Sequence, residues 1–308
     1  MIGLEVALQF TVLMLTGMFM VKSGLFPQGF RKQLANMVMN ISLPCMIARS
    51  IYHQNADFAE FWLVPIAAIA ALVLLFLGGE AVYLLLRRDE VGRSARFSML
   101  FGNFTFMGFP AVETLFGADG LFVFTLFTLP IRLVFYASPS LLLAPKNGSK
   151  PTRRELLKEL LSPPTVSVFV GLLIHALPFE VPGFLDNAIA SVGGTASVLG
   201  MLIVGMSLAD VSGKTLLKRR RAMWIVFGKA VISPLLLYLT LLPFPLESIV
   251  KQAIFVYGAL PMPSLLTAFS VSLGRSDEAC EDASAAVMVS TLLSVLTIPF
   301  WTWFGRSL

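Results

Sequence analysis

The sequence predicts an all-α polytopic membrane protein of ten spanning helices, arranged as two five-helix repeats of inverted topology. Three observations carry this expectation. Apolar runs of spanning length follow one another along the whole chain, Lys and Arg fall almost entirely on one side of them, and each half holds an odd number of runs. Of 308 residues, 56% are hydrophobic and 13% charged, and the mean hydropathy is +0.82. An average domain carries about 25% charged residues. A soluble chain of this size could not hide so much apolar surface from water, so lipid is the expected solvent for its exterior.

A spanning helix takes about 20 residues. Charged residues, Pro and Gly divide the chain into runs at 4–21, 33–52, 60–86, 95–116, 120–143, 164–178, 185–209, 222–243, 249–273 and 281–304. The first run lacks a basic n-region and a small-residue cleavage pattern, so it reads as a span rather than a removed signal. The third is long enough to be tilted, and the sixth is short. The loops after the odd-numbered runs hold eighteen Lys and Arg, among them Arg31, Lys32, Arg87, Arg88 and the run Arg219 to Arg221. The opposite side holds three, Arg49, Lys251 and Arg306. The positive-inside rule then makes the odd loops cytoplasmic and puts both termini outside. The loop after the ninth run has only Arg275, beside Asp277, Glu278, Glu281 and Asp282. Acids count little in this rule, so that loop is compatible with the same topology.

The longest connection, 144–163, separates a first half (1–143) from a second (164–308). Five helices in each half force the halves to insert with opposite orientation, an architecture found in many secondary transporters. The net charge of +5 and pI of 9.4 do not point to nucleic acid, because the basic residues sit in short loops where orientation explains them. Arg219 to Arg221 read as a topology anchor with anionic lipid as a secondary contact. Cys45 and Cys280 suggest neither a disulfide framework nor a metal site, and His53 and His175 lack ligand-type neighbours. No Gly-x-Ser-x-Gly, His-Glu-x-x-His or paired-aspartate pattern supports an enzyme. No cofactor is expected beyond a coupling ion, proton or sodium.

Two runs carry the functional signal. The fourth contains Gly102-Asn103-Phe104-Thr105-Phe106-Met107-Gly108-Phe109-Pro110, and the ninth contains Gly258-Ala259-Leu260-Pro261-Met262-Pro263-Ser264. Proline within a helix removes a backbone donor and clashes with the preceding turn. Backbone groups freed at membrane depth are tolerated only where protein or a wet cavity satisfies them. Paired breaks in corresponding helices of two halves therefore point to a binding site, where half-helix N-termini face an anion and unwound carbonyls can hold a cation. The plainer alternative is two ordinary proline kinks.

These residues resemble the auxin efflux carrier family and its plant PIN-formed members. Asn103 with Met107-Gly108-Phe109-Pro110 is similar to that family's first crossover, and Ala259-Leu260-Pro261 to its second. Leu43-Pro44, Pro163-Pro164-Thr165 and Leu199-Gly200-Met201 with Gly205-Met206-Ser207-Leu208 fall at family-like places. Pro263 and Arg132 are additions to that pattern, and the long central loop of the plant members is absent. The resemblance implies an elevator-type carrier of small organic anions, such as mono- or dicarboxylates, in a bacterial inner membrane with periplasmic termini. It implies that helices 1, 2, 6 and 7 form a scaffold that dimerises, while helices 3–5 and 8–10 form the moving transport domain. The substrate would lie at Asn103, Pro110, Pro261, Pro263 and Ser264.

Charges at membrane depth are candidates by default. Arg132 lies mid-way along the fifth run. Glu80 and Lys229 lie ~10 and ~12 Å inside the cytoplasmic ends of their helices at ~1.5 Å per residue. In one reading Arg132 or Lys229 contacts a substrate carboxylate and Glu80 is a proton-sensitive group. In the other, Glu80 and Lys229 are a structural ion pair and Arg132 neutralises carbonyls. Glu113, one turn beyond Pro110, either lines the exit path in a coupling role or faces water. Asp210 reads as an interface residue, and Asn40 and Ser42 as interhelical polar contacts. Ser264 and Thr267 could instead supply oxygens to sodium in a symporter of the bile-acid type.

Overall fold

The computed structural model describes residues 2–27, 29–54, 61–86, 88–143, 161–177, 181–209 and 222–308. Arg87, most of the 144–163 connection, Asp210 and the Arg219 to Arg221 run lie outside the described residues. The elements are α1 (Ile2–Lys22), α2 (Phe30–Tyr52), α3 (Leu63–Leu85), α4 (Glu90–Leu100), α5 (Phe109–Ala137) and α6 (Pro163–Ala176). They continue with α7 (Gly183–Ala209), α8 (Ala222–Leu241), α9 (Ser248–Ala259), α10 (Leu265–Ser272) and α11 (Asp277–Phe304). There is no strand among the described residues. Six stretches are long and apolar enough to cross a membrane: α2, α3, the 90–135 segment, α7, α8 and α11. The outward faces are apolar as well. Leu8, Val12, Leu15 and Phe19 on α1, Ile69 and Val73 on α3, and Leu292 and Leu296 on α11 are exposed. Such faces on helix after helix suit lipid and not water, and the chain is a multi-pass membrane protein.

Proline shapes the helices in a repeated way. A π-turn precedes Pro44 (Val38–Ser42), Pro110 (Phe104–Gly108) and Pro234 (Gly228–Ile232), and each proline then opens a regular helical segment. The wider turn relieves the clash between the proline ring and the preceding carbonyls. Consequently the helix is not interrupted at Pro110. The break lies earlier, at Phe101 to Asn103, and Pro110 lies within the resumed helix, just after its π-turn. Further along α5, Gly117 has φ of +65°, a backbone conformation costly for any residue with a Cβ. It splits α5 into two helices, 109–116 and 118–137.

Close packing joins the helices in two sets. In the first, α7 packs on α1, where Gly17 and Gly205 let Leu202 and Met14 carbonyls approach, and α2 packs on α6 and α7. Ser42 reaches across to Thr195 at 2.8 Å, while Asn40 bonds within its own helix to Asn36. In the second set α3 packs on α4, α5 and α8, and α9 packs on α5, α8 and α11. The sets meet where α7 lies against the Phe104–Gly108 turn, α1 against α11, and α2 against α5.

The expected pairing of Glu80 with Lys229 is not formed. Glu80 accepts from Arg96 of α4 at 2.6 Å, and Arg96 also reaches the Leu142 carbonyl at 2.8 Å. Lys229 is buried on the π-turn of α8, 3.4 Å from the Ser233 hydroxyl and 5.5 Å from the Tyr257 ring centre. Equal depth along two helices does not fix the direction their side chains face. Glu80 turns toward α4, whereas Lys229 turns toward α9.

Candidate functional site

The two breaks lie against each other. The backbone N–H of Asn103 donates to the carbonyl of Pro261 at 2.8 Å. Gly102 permits the approach, since a Cβ there would lie 2.9 Å from the Leu260 Cβ. Every polar group freed by unwinding in a buried place needs a partner, and the surrounding residues supply them. Tyr257 donates its hydroxyl to the last carbonyl of α4, Leu100, at 2.7 Å, and Ser233 donates to the Met99 carbonyl at 3.1 Å. The N–H of Met262 donates to Ser290 at 3.2 Å. Pro261 and Pro263 have no N–H to satisfy, so proline suits the extended stretch between α9 and α10.

Asn103 holds the first break from both ends. Its side-chain oxygen accepts from the N–H of Phe106 at 3.3 Å, and its carbonyl accepts from Met107 and Gly108. This is an N-cap on the resumed helix, a position Asn favours. The side-chain nitrogen makes no hydrogen bond among the described residues, and Asn103 lines a cavity of about 770 Å³. The cavity also presents Ser207, Ser264, Thr267, Ser284 and Thr291. A smaller pocket of about 250 Å³ shares Asn103, Phe106 and Ser264 and adds Pro263. Ser207 and Thr291 donate to the Ile203 and Val287 carbonyls of their own helices, and Ser284 donates to Thr267. The donors the lining offers are therefore the Asn103 amide and the Ser264 and Thr267 hydroxyls, while Arg31, Lys32 and Glu281 lie at its exposed end. The start of the resumed helix at Phe106 and the start of α10 at Leu265 both face it, and helix N-termini carry partial positive charge.

The expected site residues divide accordingly. Asn103, Ser264 and Pro263 face the cavities, and Pro261 stands behind them as the acceptor for Asn103. Pro110 is buried away from the cavities, in the packed start of α5. Arg132 is buried with its guanidinium 5.7 Å from the Phe104 ring and 5.8 Å from the Phe109 ring. It supports the first break from behind and is not part of either cavity lining. Glu80 and Lys229 are likewise outside the linings, and Glu113 meets the Ser197 hydroxyl on α7. Sequence reasoning missed Tyr257, Ser290 and Arg275. Arg275 joins the end of α10 to the start of α4, donating to Glu90 Oε2 at 2.7 Å and to Ser94 and Ser270 at 2.9 Å. For Tyr257 a signal was present: a phenol in the apolar half of α9 that begins at Ala253, one residue before Gly258.

A multi-pass helical bundle with two interrupted helices beside a largely apolar cavity that carries a few polar groups fits a membrane transporter. Comparison with known proteins agrees. The chain matches the family model described as membrane transport protein over residues 3–151 and 150–302, and it belongs to that family, the auxin efflux carriers. It is 24% identical to an uncharacterized transporter of Methanothermobacter thermautotrophicus over 97% of both chains. It is also 24% identical to an uncharacterized transporter of Methanocaldococcus jannaschii, over 98% of this chain and 99% of that one. A Rhizobium meliloti protein named "Putative malonate transporter" is 25% identical over 89% of this chain and 87% of its own.

Proposed function

We propose that this protein is a secondary carrier that moves small organic anions, mono- or dicarboxylates, across the bacterial inner membrane by an elevator motion. The observation that carries this reading is the Asn103 to Pro261 hydrogen bond. It joins the two breaks and leaves the Asn103 amide as a donor, unpartnered among the described residues, at a largely apolar cavity between two helix N-termini. A carboxylate suits that setting, because the Asn103 amide and the two helix N-termini offer positive potential in the interior, and Arg31 and Lys32 add cationic charge at the exposed end. The name of the Rhizobium relative favours malonate as the first anion to try.

In this reading ten spans form an inverted repeat. Three are composite or divided: α4 continues into α5 up to Phe116, the rest of α5 is the fifth span, and α9 continues into α10 as the ninth. The set α1, α2, α6 and α7 is the scaffold and the surface for a homodimer within the lipid, and the set built on α3–α5 and α8–α11 is the moving unit. The packing of each set within itself supports the division. Both termini are periplasmic, and the cavity's exposed end, at Arg31 and Lys32, is then cytoplasmic. The conformation described is inward-facing. A sodium-coupled symporter is the second reading, favoured by the grouping of Ser264, Thr267 and Ser284 on one wall, with Ser284 and Thr267 3.3 Å apart.

A thermal-shift screen of mono- and dicarboxylates on the purified protein tests the proposal. Stabilisation by malonate or a similar anion without sodium supports the first reading. Stabilisation only in sodium supports the second, and none by any carboxylate contradicts both.

A further inference from the structure

The interior of the cavity is balanced for one negative charge. Two helix N-termini face it, the resumed helix at Phe106 and α10 at Leu265. Each carries roughly half a unit of positive charge, so together they offset about one anionic charge. Between them stands the Asn103 amide, 5% exposed, whose nitrogen makes no hydrogen bond among the described residues. The other interior donors, Ser264 and Thr267, are hydroxyls, and the wall around them is apolar, with Ile203, Val204, Leu208, Leu265, Val287 and Met288.

The charged residues of the lining all stand at its exposed end. Among the described residues these are Arg31 and Lys32 on α2 and Glu281 on α11, with the Cys280 thiol beside them. Lys229 and Arg132 lie behind the first break, against the rings of Tyr257, Phe104 and Phe109, and belong to neither cavity lining. Glu113 is turned to Ser197 of α7 and is also outside both linings.

We propose that the carrier selects its cargo by charge and takes monoanions, so that a dicarboxylate such as malonate crosses in its hydrogen form, with one carboxylate and one neutral carboxyl. The inference rests on the carboxylate-carrier reading and its elevator motion. The ionised end of hydrogen malonate meets the Asn103 amide between the two N-termini. The neutral end suits Ser264 and Thr267, because a carboxyl both donates and accepts a hydrogen bond and a hydroxyl answers both. A second ionised carboxylate would find an apolar wall and no cation to touch, and a buried charge without a partner is strongly disfavoured. Arg31 and Lys32 meet such a charge only at the mouth, since they belong to the scaffold and stay behind when the moving unit departs. Glu281 travels with that unit and repels a second negative charge.

This selection couples malonate to the proton gradient without a titrating side chain. Hydrogen malonate forms in water on one side, crosses, and dissociates into malonate and a proton in water on the other. The empty unit returns with neither. One proton therefore accompanies each malonate, and none accompanies an anion of fixed single charge.

Three anions of similar size separate charge from shape: malonate, its monoamide malonamate with one fixed charge, and sulfoacetate with two. Their binding to the purified full chain is titrated from about pH 6 to about pH 8, where only malonate changes charge. Titration of Glu281 or Cys280 at the mouth would move malonate and malonamate alike, so the ratio of their Kd values is the readout. That ratio should rise roughly tenfold per pH unit above the second ionisation of malonate, as the competent fraction falls. Sulfoacetate should not bind. A ratio that stays constant, malonate bound where malonamate is not, or sulfoacetate bound as well as malonamate overturns the proposal. Binding of none of the three contradicts the carboxylate-carrier reading, and the inference falls with it. In proteoliposomes with an entrapped pH dye and the membrane potential clamped, malonate entry should acidify the lumen and malonamate entry should not. Malonate entry without acidification likewise overturns the proposal.

Discussion

The N–H of Asn103 and the carbonyl of Pro261 stand 2.8 Å apart, and this bond joins the two interrupted helices. The same residue caps the resumed helix with its side-chain oxygen and turns its amide nitrogen to the cavity. In the proposed carrier, structural and binding roles are combined in Asn103, and its variants separate them.

Asn103→Ala removes both the cap and the donor. Loss of the cap should lower stability without substrate by about 1 kcal/mol. Loss of a donor to a carboxylate should weaken binding by about 1.5–3 kcal/mol, roughly a ten- to hundredfold rise in Kd. Thermal unfolding and titration of the same preparations measure the two effects separately. Unchanged affinity in the folded protein would make Asn103 a cap alone.

The charge pairs give a second prediction. A double-mutant cycle on Glu80→Gln and Arg96→Gln should show coupling of about 0.5–1 kcal/mol, modest because Glu80 is 29% exposed. A cycle on Glu80→Gln and Lys229→Met should show less than about 0.5 kcal/mol, because the two do not meet. Rescue of Glu80→Gln by Lys229→Met would restore the pairing expected from depth.

Arg275 has a side chain with no solvent exposure and holds α10 to α4 through Glu90, Ser94 and Ser270. Arg275→Met should destabilise the protein by about 2–3 kcal/mol, since several charge-assisted bonds are lost together. Denaturation in detergent measures it. A change below about 0.5 kcal/mol, the range of an ordinary surface substitution, would show that the helices are held otherwise.

Topology can be checked on exposed described residues. Ser248→Cys should react with an impermeant thiol reagent added to intact cells, and Ser23→Cys and Ser276→Cys should not. Labelling of Ser276→Cys would invert the assignment of the loop that carries Arg275.

The helices were legible because lipid demands apolarity along whole spans: the run expected at 185–209 corresponds to Gly183–Ala209, and that at 222–243 to Ala222–Leu241. The breaks were legible in kind, because Gly and paired Pro in apolar runs leave few other structures. The first break was misplaced toward Pro110, since a π-turn ahead of a proline lets the helix pass through it. Side-chain direction was not legible. Depth can be counted from a loop, but whether Glu80 faces α8 or α4 depends on helix rotation, which packing decides. The partners of Tyr257 and Ser290 were illegible for a related reason: which freed carbonyl or amide lies opposite is set by the tertiary fold, even where the phenol itself stands out in the sequence.

The central claim is that Asn103 and the joined breaks bind a carboxylate and carry it across. Counterflow of labelled malonate in proteoliposomes tests it most directly. Unlabelled malonate inside should accelerate entry of label in the wild type. Asn103→Asp should abolish that acceleration, because it keeps the capping oxygen but replaces the donor by a charge that repels the anion. Entry that is indifferent to internal malonate, or undiminished in Asn103→Asp, would contradict the account.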